Sequence, residues 1–378
     1  MNRSAEALEL CFELGFDLAG VAPLRPPPAA RRLRAWLEAG RHADMDWLER
    51  NAERIADPRL VLPAGRSILA VGLGHARDRV ALEDGTRIAR YAAGRDYHNL
   101  IGKRLRKLAR ALTERGLIDG HARSIVDAGP LLERSHAAEA GLGFESKAAN
   151  LLHRDLGPWF FLGELLLEEE LEPTTTPALG SCGTCTACID ACPTAAILEP
   201  GVVDARRCIS YQTIENRGQV PPELRPQVDA WAFGCDVCSE VCPWGHKAPE
   251  RGALFGTHRQ VEGGGAVEWL RVPEEAFASR FEGSPLRRPG RAGLARNAAI
   301  VLGNRPAEQG REALLAALEG DSSAVVRETA GWSLARAHRG DAGVAARLEA
   351  AARREPDPDA ARDLARWAGG DPAAPSDR

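Results

Sequence analysis

Cys182-Gly-Thr-Cys185-Thr-Ala-Cys188-Ile-Asp-Ala-Cys192-Pro193 is the stretch around which this chain is organised, and a second run, Cys235-Asp-Val-Cys238-Ser-Glu-Val-Cys242-Pro243, follows it. Both runs end in a cysteine–proline pair after a gap of three residues, and Cys208 lies between them. Closely spaced cysteines let one loop place several thiolates around one centre, and thiolates are the soft anionic ligands that iron and sulfide bind. The stretch therefore predicts a metal-cluster module.

The first run has the spacing of bacterial ferredoxins, in which three cysteines hold one [4Fe-4S] cluster and the fourth ligates the other cluster. The second run lacks a leading cysteine, which Cys208 can supply. Cross-ligation between the runs then predicts the ligands of cluster one as Cys182, Cys185, Cys188 and Cys242. It predicts the ligands of cluster two as Cys208, Cys235, Cys238 and Cys192.

Two other interpretations of these eight cysteines are a pair of zinc sites and a set of disulfides. Zinc sites also use C-x2-C pairs, but the doubled C-x3-C-P ending is not a zinc spacing. Stable disulfides belong to secreted proteins, and the N-terminus shows no secretory signal. Two [4Fe-4S] clusters are therefore the favoured interpretation. The ninth cysteine, Cys11, stands among apolar residues and is predicted to be a small core residue.

The length of 378 residues predicts two or three domains, each able to bury a core. The net charge of -4 does not indicate a nucleic-acid binder, although it leaves room for a local basic patch. No apolar run is long enough to cross a bilayer. We therefore expect a soluble, cytoplasmic protein without a membrane partner.

The first part of the chain alternates short strands with amphipathic helices, which predicts an α/β domain over residues 1–172. Strands are predicted at Leu18–Ala22, Ser67–Leu73, Ser124–Asp127 and Trp159–Leu167. The apolar run from Ser67 predicts a central, fully buried strand. Helices are predicted over 5–14 and 31–39, and Asp96 is predicted to cap a long third helix.

Three further segments follow this domain: a ferredoxin-like cluster module (173–250), a glycine-rich connecting segment (251–284) and a C-terminal α-helical domain (285–378). Within the last segment, the stretches that begin at Ala295 and Val326 resemble each other 31 residues apart, with Arg296 matching Arg327. This spacing predicts a short HEAT-like repeat, and an ordinary helical bundle is the alternative.

Two clusters in series conduct electrons, so the first domain is expected to hold the acceptor. No G-x-G-x-x-G follows a strand, so a nicotinamide site is not indicated. Asp96-Tyr-His98 is similar to the D-x-H-x-x-G motif of cobalamin domains, but Ile101 replaces the glycine, which disfavours His98 as a metal ligand. Asp127 follows a strand and precedes a Gly-Pro turn, a common position for an active-site carboxylate; an Asx-turn aspartate is the alternative.

Over nearly its whole length the chain resembles the epoxyqueuosine reductase family. The matching motifs are Arg54-Ile-Ala-Asp-Pro58, Gly94-Arg-Asp-Tyr-His98, Val126-Asp-Ala-Gly-Pro130, Glu133-Arg134, Gly141-Leu-Gly-Phe144, Lys147, Arg207-Cys-Ile-Ser-Tyr211, Gly234-Cys-Asp-Val-Cys238 and Arg296-Asn297. The order of these motifs around a double cluster makes the resemblance specific. The chain departs from the family at Ala148-Ala149 and at Gly245, where relatives commonly have asparagine.

The resemblance implies an oxidoreductase for the last step of queuosine synthesis. Such an enzyme reduces the epoxide of epoxyqueuosine at the wobble position of tRNA and releases the oxygen as water. It uses cobalamin, bound base-off beside two [4Fe-4S] clusters, in an N-terminal domain distantly like that of corrinoid reductive dehalogenases. The expected partners are tRNA carrying epoxyqueuosine and an electron donor that the sequence does not identify, and the expected state is a monomer.

The resemblance also implies roles for single residues. Asp127, with a raised pKa, is expected to donate a proton as the epoxide opens. The residues expected to contact cobalamin are Arg54, Asp127, Lys147, Ser210, Asp236 and Val237. The residues expected to contact tRNA are Asn216, Arg217, Arg287, Arg288, Arg291 and Arg296, for which a solvated charged surface is the alternative. A dehalogenase-like corrinoid reductase and a ferredoxin-type electron carrier are the competing functions.

Overall fold

The structure is a computed structural model that describes residues 2–175 and 180–370. Its strands are β1 Leu18–Pro23, β2 Ser67–Gly74, β3 Val80–Ala81, β4 Arg87–Ile88, β5 Ala122–Ile125, β6 Phe144–Glu145, β7 Leu151–Leu152, β8 Phe160–Leu167, β9 Ile197–Glu199, β10 Val202–Val203 and β11 Trp231–Phe233. Short 3-10 helices add Pro58–Leu60, Arg90–Ala93, Pro243–Lys247, Gly252–Leu254 and Pro285–Arg287.

The α-helices are α1 Arg3–Glu13, α2 Ala29–Glu38, α3 Asp46–Arg50, α4 Ala52–Ala56, α5 Tyr97–Glu114, α6 Glu133–Glu139, α7 Ala187–Asp190, α8 Ile209–Ile214, α9 Arg225–Val228, α10 Val237–Glu240, α11 Arg259–Glu262, α12 Ala266–Leu270, α13 Glu274–Arg280, α14 Gly290–Asn304, α15 Glu308–Gly320, α16 Ala324–Ala337, α17 Ala342–Arg354 and α18 Pro358–Ala368. Among the described residues, no helix is both long and apolar enough to cross a membrane.

The chain divides into two compact units, and neither is a continuous stretch of sequence. The first unit contains Met1–Asp78, Asp96–Arg206 and Asp236–Phe255. The second unit contains Arg79–Arg95, Arg207–Cys235 and Gly256–Arg378. Both units cross the bounds of the four consecutive segments predicted from the sequence.

The first unit is built on a four-stranded sheet in the order β1-β2-β8-β5. Every residue of β2 is buried, and β2 lies between β1 and β8, which confirms the predicted central strand. All three pairings are antiparallel, so the unit is α+β and lacks the parallel sheet of a doubly wound α/β domain. Glu164 of β8 pairs with Ile125, the last residue of β5.

Helix α5 packs against β8 and brings its N-terminus to the functional residues described below. Its apolar stripe, which includes Leu105, Leu108 and Leu112, is buried. The Asp96 side chain accepts a hydrogen bond from the backbone N–H of His98 at 2.9 Å, which confirms Asp96 as the N-cap. Cys11 is buried in α1, as expected, and burial raises its pKa to about 12.

The second unit contains the small sheet β11-β4-β3 and the C-terminal helices. Helices α14 and α16 pack on each other and begin 34 residues apart, and α15 and α17 have the same offset. The match of Arg296 to Arg327 is therefore wrong, because the structural counterpart of Arg296 is Ala330. The Ser333 hydroxyl donates to the carbonyl of Ala299 at 2.7 Å, which joins the two helices at equivalent positions.

Candidate functional site

Asp127 occupies a tight turn just beyond strand β5, which ends at Ile125, two residues earlier than predicted. Its φ is 55°, in the left-handed region that few residues other than glycine adopt. The N–H of Ala128 donates to the carbonyl of Val126 at 2.5 Å, so Asp127 is the central residue of a γ-turn. A γ-turn with positive φ is rare and strained, and such strain is concentrated at functional sites.

The first residues of α5 face the Asp127 carboxylate. The Tyr97 hydroxyl donates to Oδ2 of Asp127, and Nε2 of His98 lies 3.5 Å from the same oxygen. The other ring nitrogen of His98, Nδ1, lies 2.8 Å from Asp96. The Tyr97 ring stacks on Phe161 of β8 with ring centroids 4.2 Å apart, which fixes the phenol from behind.

This arrangement keeps Asp127 ionised and His98 protonated. Partial loss of hydration by itself raises the pKa of the Asp127 carboxyl, but hydrogen bonds from His98 and Tyr97 outweigh this effect and lower the pKa. Burial lowers the pKa of His98, yet its bonds to Asp127 and Asp96 raise it to about 9. The expectation of a raised pKa at Asp127 is therefore wrong, and near neutral pH the transferable proton resides on the histidine.

Two glutamates lie behind the turn. Glu133, the first residue of α6, accepts a hydrogen bond from the backbone N–H of Asp127 at 2.7 Å. Glu164 is fully buried in β8, and its carboxyl is within hydrogen-bonding reach of Glu133. Burial raises the pKa of both groups. Sequence reasoning noted Glu133 only as part of a motif and missed Glu164, although a glutamate inside the run Phe160–Leu167 was a visible signal.

The predicted ligands of cluster one lie together in the first unit. Burial, followed by the neighbouring thiols of Cys182 and Cys242, raises the pKa of Cys188. Burial also raises the pKa of Cys242, to which Cys182 and Cys185 contribute. Bound iron would instead lower the pKa of these cysteines, because a coordinating thiol loses its proton. Four thiols from two distant sequence runs form a donor set that fits one cubane cluster.

Backbone N–H groups already point at these sulfurs, as they do around iron–sulfur clusters. Sγ of Cys182 accepts from the N–H of Lys147 at 3.5 Å. The backbone N–H groups of Trp244 and Gly245 lower the pKa of Cys242, and that of Gly245 donates to the Cys242 carbonyl at 2.9 Å. None of the nine cysteines, all of which lie in the described part of the chain, forms a disulfide. Among the described residues, no group of three or more His, Cys, Asp or Glu side chains is arranged to hold a single metal ion.

Lys147 braces the loop of cluster one. Its Nζ donates to the carbonyls of Gly183 at 2.8 Å and Cys185 at 2.9 Å. Two of its three N–H bonds therefore serve the loop, and the third is left for the expected contact with cobalamin.

The remaining predicted residues of the cluster and corrin sites are divided between the units. Cys192 and Cys238 belong to the first unit, and Cys208 and Cys235 to the second. Arg54 is exposed, Ser210 and Val237 are partly exposed, and Asp236 is buried at the start of α10.

The predicted tRNA contacts separate into buried and exposed side chains. Arg296 is fully buried, and its guanidinium donates to the backbone carbonyls of Gln212, Asn216 and Gly218. The Asn216 side chain is buried as well and bonds to Gln212 at 2.6 Å. The assignment of Arg296 and Asn216 to tRNA contact is therefore wrong, because their donors are used inside the fold.

Arg291 is also mostly buried, with 9% of its side chain exposed, and binds Asp321 through two bonds of 2.6 Å. It therefore serves the packing of the helical region, which corrects its expected role in tRNA contact. Arg217, Arg287 and Arg288 are exposed. Arg288 bonds to Glu215 at 3.0 Å, a contact that an incoming phosphate can replace because the pair is open to solvent.

Family models match two parts of the chain. Residues 181–245 match the model of a 4Fe-4S double cluster binding domain. Residues 56–128, which end just beyond Asp127, match the model described as epoxyqueuosine reductase QueG, DUF1730. In sequence order, the chain thus has a segment typical of epoxyqueuosine reductases followed by a double [4Fe-4S] cluster domain.

Solved structures of epoxyqueuosine reductases share the fold. One, determined with an epoxyqueuosine-modified tRNA-Tyr stem loop, has a TM-score of 0.86 and 27% identity and covers 97% of each chain. Another, from Bacillus subtilis, has its catalytic aspartate loop swung out of the active site; its TM-score is 0.83 at 26% identity, covering 97% of this chain and 98% of that one.

Curated relatives are more similar in sequence. The epoxyqueuosine reductase of Escherichia coli strain K12 is 37% identical over 334 residues, covering 86% of this chain and 87% of the relative. That of Xanthomonas campestris pv. campestris is 41% identical over 346 residues, covering 89% of this chain and 96% of the relative. A match of this identity and extent shows the family, and the chain belongs to the epoxyqueuosine reductases.

Proposed function

We propose that this enzyme reduces the epoxide of epoxyqueuosine in tRNA to the alkene of queuosine, with two electrons and two protons consumed and one water released. The observation that carries the proposal is Asp127, held on a strained turn against a protonated His98 and the Tyr97 hydroxyl. With 62% of its side chain exposed, the carboxylate is open on one side to a substrate. Membership of a reductase family sets aside the electron-carrier and dehalogenase alternatives.

In this proposal Asp127 is the group that meets the epoxide oxygen, and His98 is the source of its proton. Opening the ring leaves an alkoxide, and loss of that oxygen as water requires two protons in all. His98 passes one proton to Oδ2 of Asp127, which lies 3.5 Å from Nε2, and Asp127 delivers it. The second proton comes from solvent, to which one side of the Asp127 carboxylate is open. Tyr97 holds the same oxygen in place through its hydroxyl.

Cobalamin is the cofactor that the family implies, and it supplies the strongly reducing centre that acts on the carbon–oxygen bond. The site residues would fit it in one observable respect. Both ring nitrogens of His98 face carboxylates, so the imidazole is held within the site and is not free to bind a metal, as Ile101 in place of the motif glycine had indicated. The residues that we propose to hold the corrin are Arg54, Asp127, Lys147, Ser210, Asp236 and Val237, with Lys147 using the one N–H bond that the cluster loop leaves free.

The electron path that we propose uses both clusters. Cluster one is held by Cys182, Cys185, Cys188 and Cys242, and cluster two by Cys208, Cys235, Cys238 and Cys192. Electrons enter from a separate low-potential donor. The N-terminal domain (1–172) serves cobalamin, the module 173–250 serves the clusters, and 251–284 connects them to the helical domain.

For tRNA we propose a surface formed by Arg217, Arg287 and Arg288, the exposed members of the predicted set. Guanidinium groups bind phosphate through paired hydrogen bonds. Residues 285–378 form a HEAT-like repeat in this proposal, supported by the common 34-residue offset of its helix pairs. The enzyme acts as a monomer in the cytoplasm, where its tRNA substrate is found.

The test is a reduction assay on tRNA carrying epoxyqueuosine, with protein reconstituted under anaerobic conditions and supplied with a chemical reductant. We expect about eight irons per chain and conversion to queuosine that requires added cobalamin. A matched reaction with tRNA that lacks the epoxide should consume no reductant. Conversion without cobalamin, or zinc in place of iron, would contradict the proposal.

A further inference from the structure

Three carboxyl groups converge where strand β5 ends, and the proposed function uses only one of them. Asp127 faces outward, while Glu133 lies behind its backbone and Glu164 lies deeper, in the centre of the sheet. Glu164 is paired in register with Ala70 on one side and Ile125 on the other, so its backbone cannot move without disturbing three strands.

The Glu164 carboxyl has no hydrogen-bond donor among the described residues. Neither oxygen receives an N–H or O–H, and the group within reach is the carboxyl of Glu133. Two ionised carboxylates cannot bond to each other, and a buried charge without a donor is strongly disfavoured. A single proton between them removes one charge and creates one hydrogen bond, as in other carboxyl pairs that share a buried site.

The charges around the pair favour this state. Asp127 is already ionised, so a second and a third negative charge at Glu133 and Glu164 would repel it and each other. Arg134 lowers the pKa of Glu133, but its side chain is exposed, where solvent weakens its effect. Near neutral pH the pair therefore keeps at least one proton.

We propose that Glu133 and Glu164 share a proton and act together as a positioning element for Asp127. The shared proton fixes the Glu133 side chain against the rigid centre of the sheet. The other side of that carboxyl then accepts the Asp127 N–H at 2.7 Å, which holds the residue at a φ of 55°. The strain of the turn is thus maintained by a buried group that contacts neither tRNA nor the reacting atoms.

This inference rests on the proposed role of Asp127, and its first test is independent of activity. Infrared spectra of the wild type and Glu164→Gln at neutral pH should differ by the carbonyl stretch of a protonated carboxyl group, which is present only in the wild type. Glu170→Gln, which changes a glutamate with 72% of its side chain exposed, is the control and should leave that band in place. An identical carboxyl band in wild type and Glu164→Gln would overturn the shared proton.

The second test compares two substitutions at the buried position. Glu164→Gln keeps a donor toward Glu133, whereas Glu164→Leu fills the space without one. We expect Glu164→Leu and Glu133→Ala to lower kcat by about 10–100-fold, because a small displacement of a reacting group has effects of that size. The KM for tRNA should not change, and Glu164→Gln should recover most of the lost rate.

Equal rates in Glu164→Leu and the wild type would overturn the positioning role. An equal loss of kcat in Glu164→Leu and Glu164→Gln would also overturn the positioning role, because a hydrogen-bond donor at position 164 would then make no difference to the rate. A wild-type protein with the infrared band but without epoxide reduction would contradict the proposed function and leave the proton-sharing pair standing.

Discussion

Asp127 and Arg296 are both charged residues that the sequence marks as functional, and the structure treats them in opposite ways. Arg296 is fully buried, and its guanidinium donates to three backbone carbonyls and to the side-chain oxygen of Asn297. Asp127 has most of its side chain exposed, on a backbone conformation that costs free energy. Each N–H group of Arg296 is used within the fold, whereas the Asp127 carboxylate keeps an open side.

The difference shows how to separate structural from catalytic charges. Asn297 completes the buried cluster by donating to the carbonyls of Thr213 and Ala232, so the Arg296-Asn297 motif joins helix α14 to buried backbone carbonyls. A group that satisfies such carbonyls stabilises the fold. A residue with a strained backbone, whose ionised state is stabilised by neighbouring side chains, is a candidate for catalysis. Substitutions should therefore affect turnover in one region and stability in the other.

The largest effect is expected for Asp127→Asn. Asparagine tolerates the left-handed conformation, so the turn should persist while the carboxylate that relays the proton is lost. We expect kcat to fall by roughly 10²–10⁴-fold, with unchanged KM, cluster spectra and melting temperature. Single-turnover reduction of epoxyqueuosine tRNA measures the rate, and a wild-type rate beside an inactive Cys208→Ala control would show that Asp127 is a turn residue only.

For Arg296→Leu we expect the opposite result. The substitution removes the N–H groups that Arg296 donates to the carbonyls of Gln212 and Asn216 in the buried part of the cluster, at about 1–3 kcal/mol for each lost hydrogen bond. The free energy of unfolding should therefore fall by at least about 2 kcal/mol in denaturant titrations. The fraction that stays folded should reduce its substrate at the normal rate. Arg347→Leu, which removes an exposed arginine, is the matched control, and an equal loss of stability there would remove the contrast.

The pH dependence of turnover separates His98 from Asp127. Because the pKa of His98 is raised to about 9, its proton is present below that pH and is lost as the pH rises through it. We expect kcat to decline above about pH 9 in the wild type. His98→Gln should be about tenfold slower at neutral pH and should lack the alkaline decline. A decline that persists in His98→Gln would assign it to another group.

The smallest effect is expected on tRNA binding. Changing Arg217, Arg287 and Arg288 together to alanine should weaken tRNA binding several-fold and flatten its salt dependence, because each phosphate contact releases counterions. Stability should hardly change, since these side chains are exposed. Measurement of tRNA affinity at two salt concentrations checks this. If the salt dependence of the affinity is unchanged, the three arginines are solvated surface residues that do not contact phosphate.

Several features could be predicted from the sequence because their causes are local. The apolar run of β2, the Asp96 cap and the buried Cys11 follow from short patterns. Ferredoxin spacing, with no other information, predicted that Cys242 joins Cys182, Cys185 and Cys188, and the structure brings these thiols together. The family was also evident, because its motifs are short and follow one another in a fixed order.

Other features depended on groups that only the folded chain brings together. The pKa of Asp127 falls because His98 and Tyr97, some thirty positions earlier, donate to it, and burial alone would have raised it. Arg296 looks like a phosphate-binding arginine until helix α14 is seen to bury it among backbone carbonyls. Residue types and their spacing were thus enough to predict the metal chemistry and the family, because the side chains that bind iron can be read directly from the sequence. The protonation of the site and the role of each charge were decided by tertiary structure, because burial and hydrogen-bond partners set both.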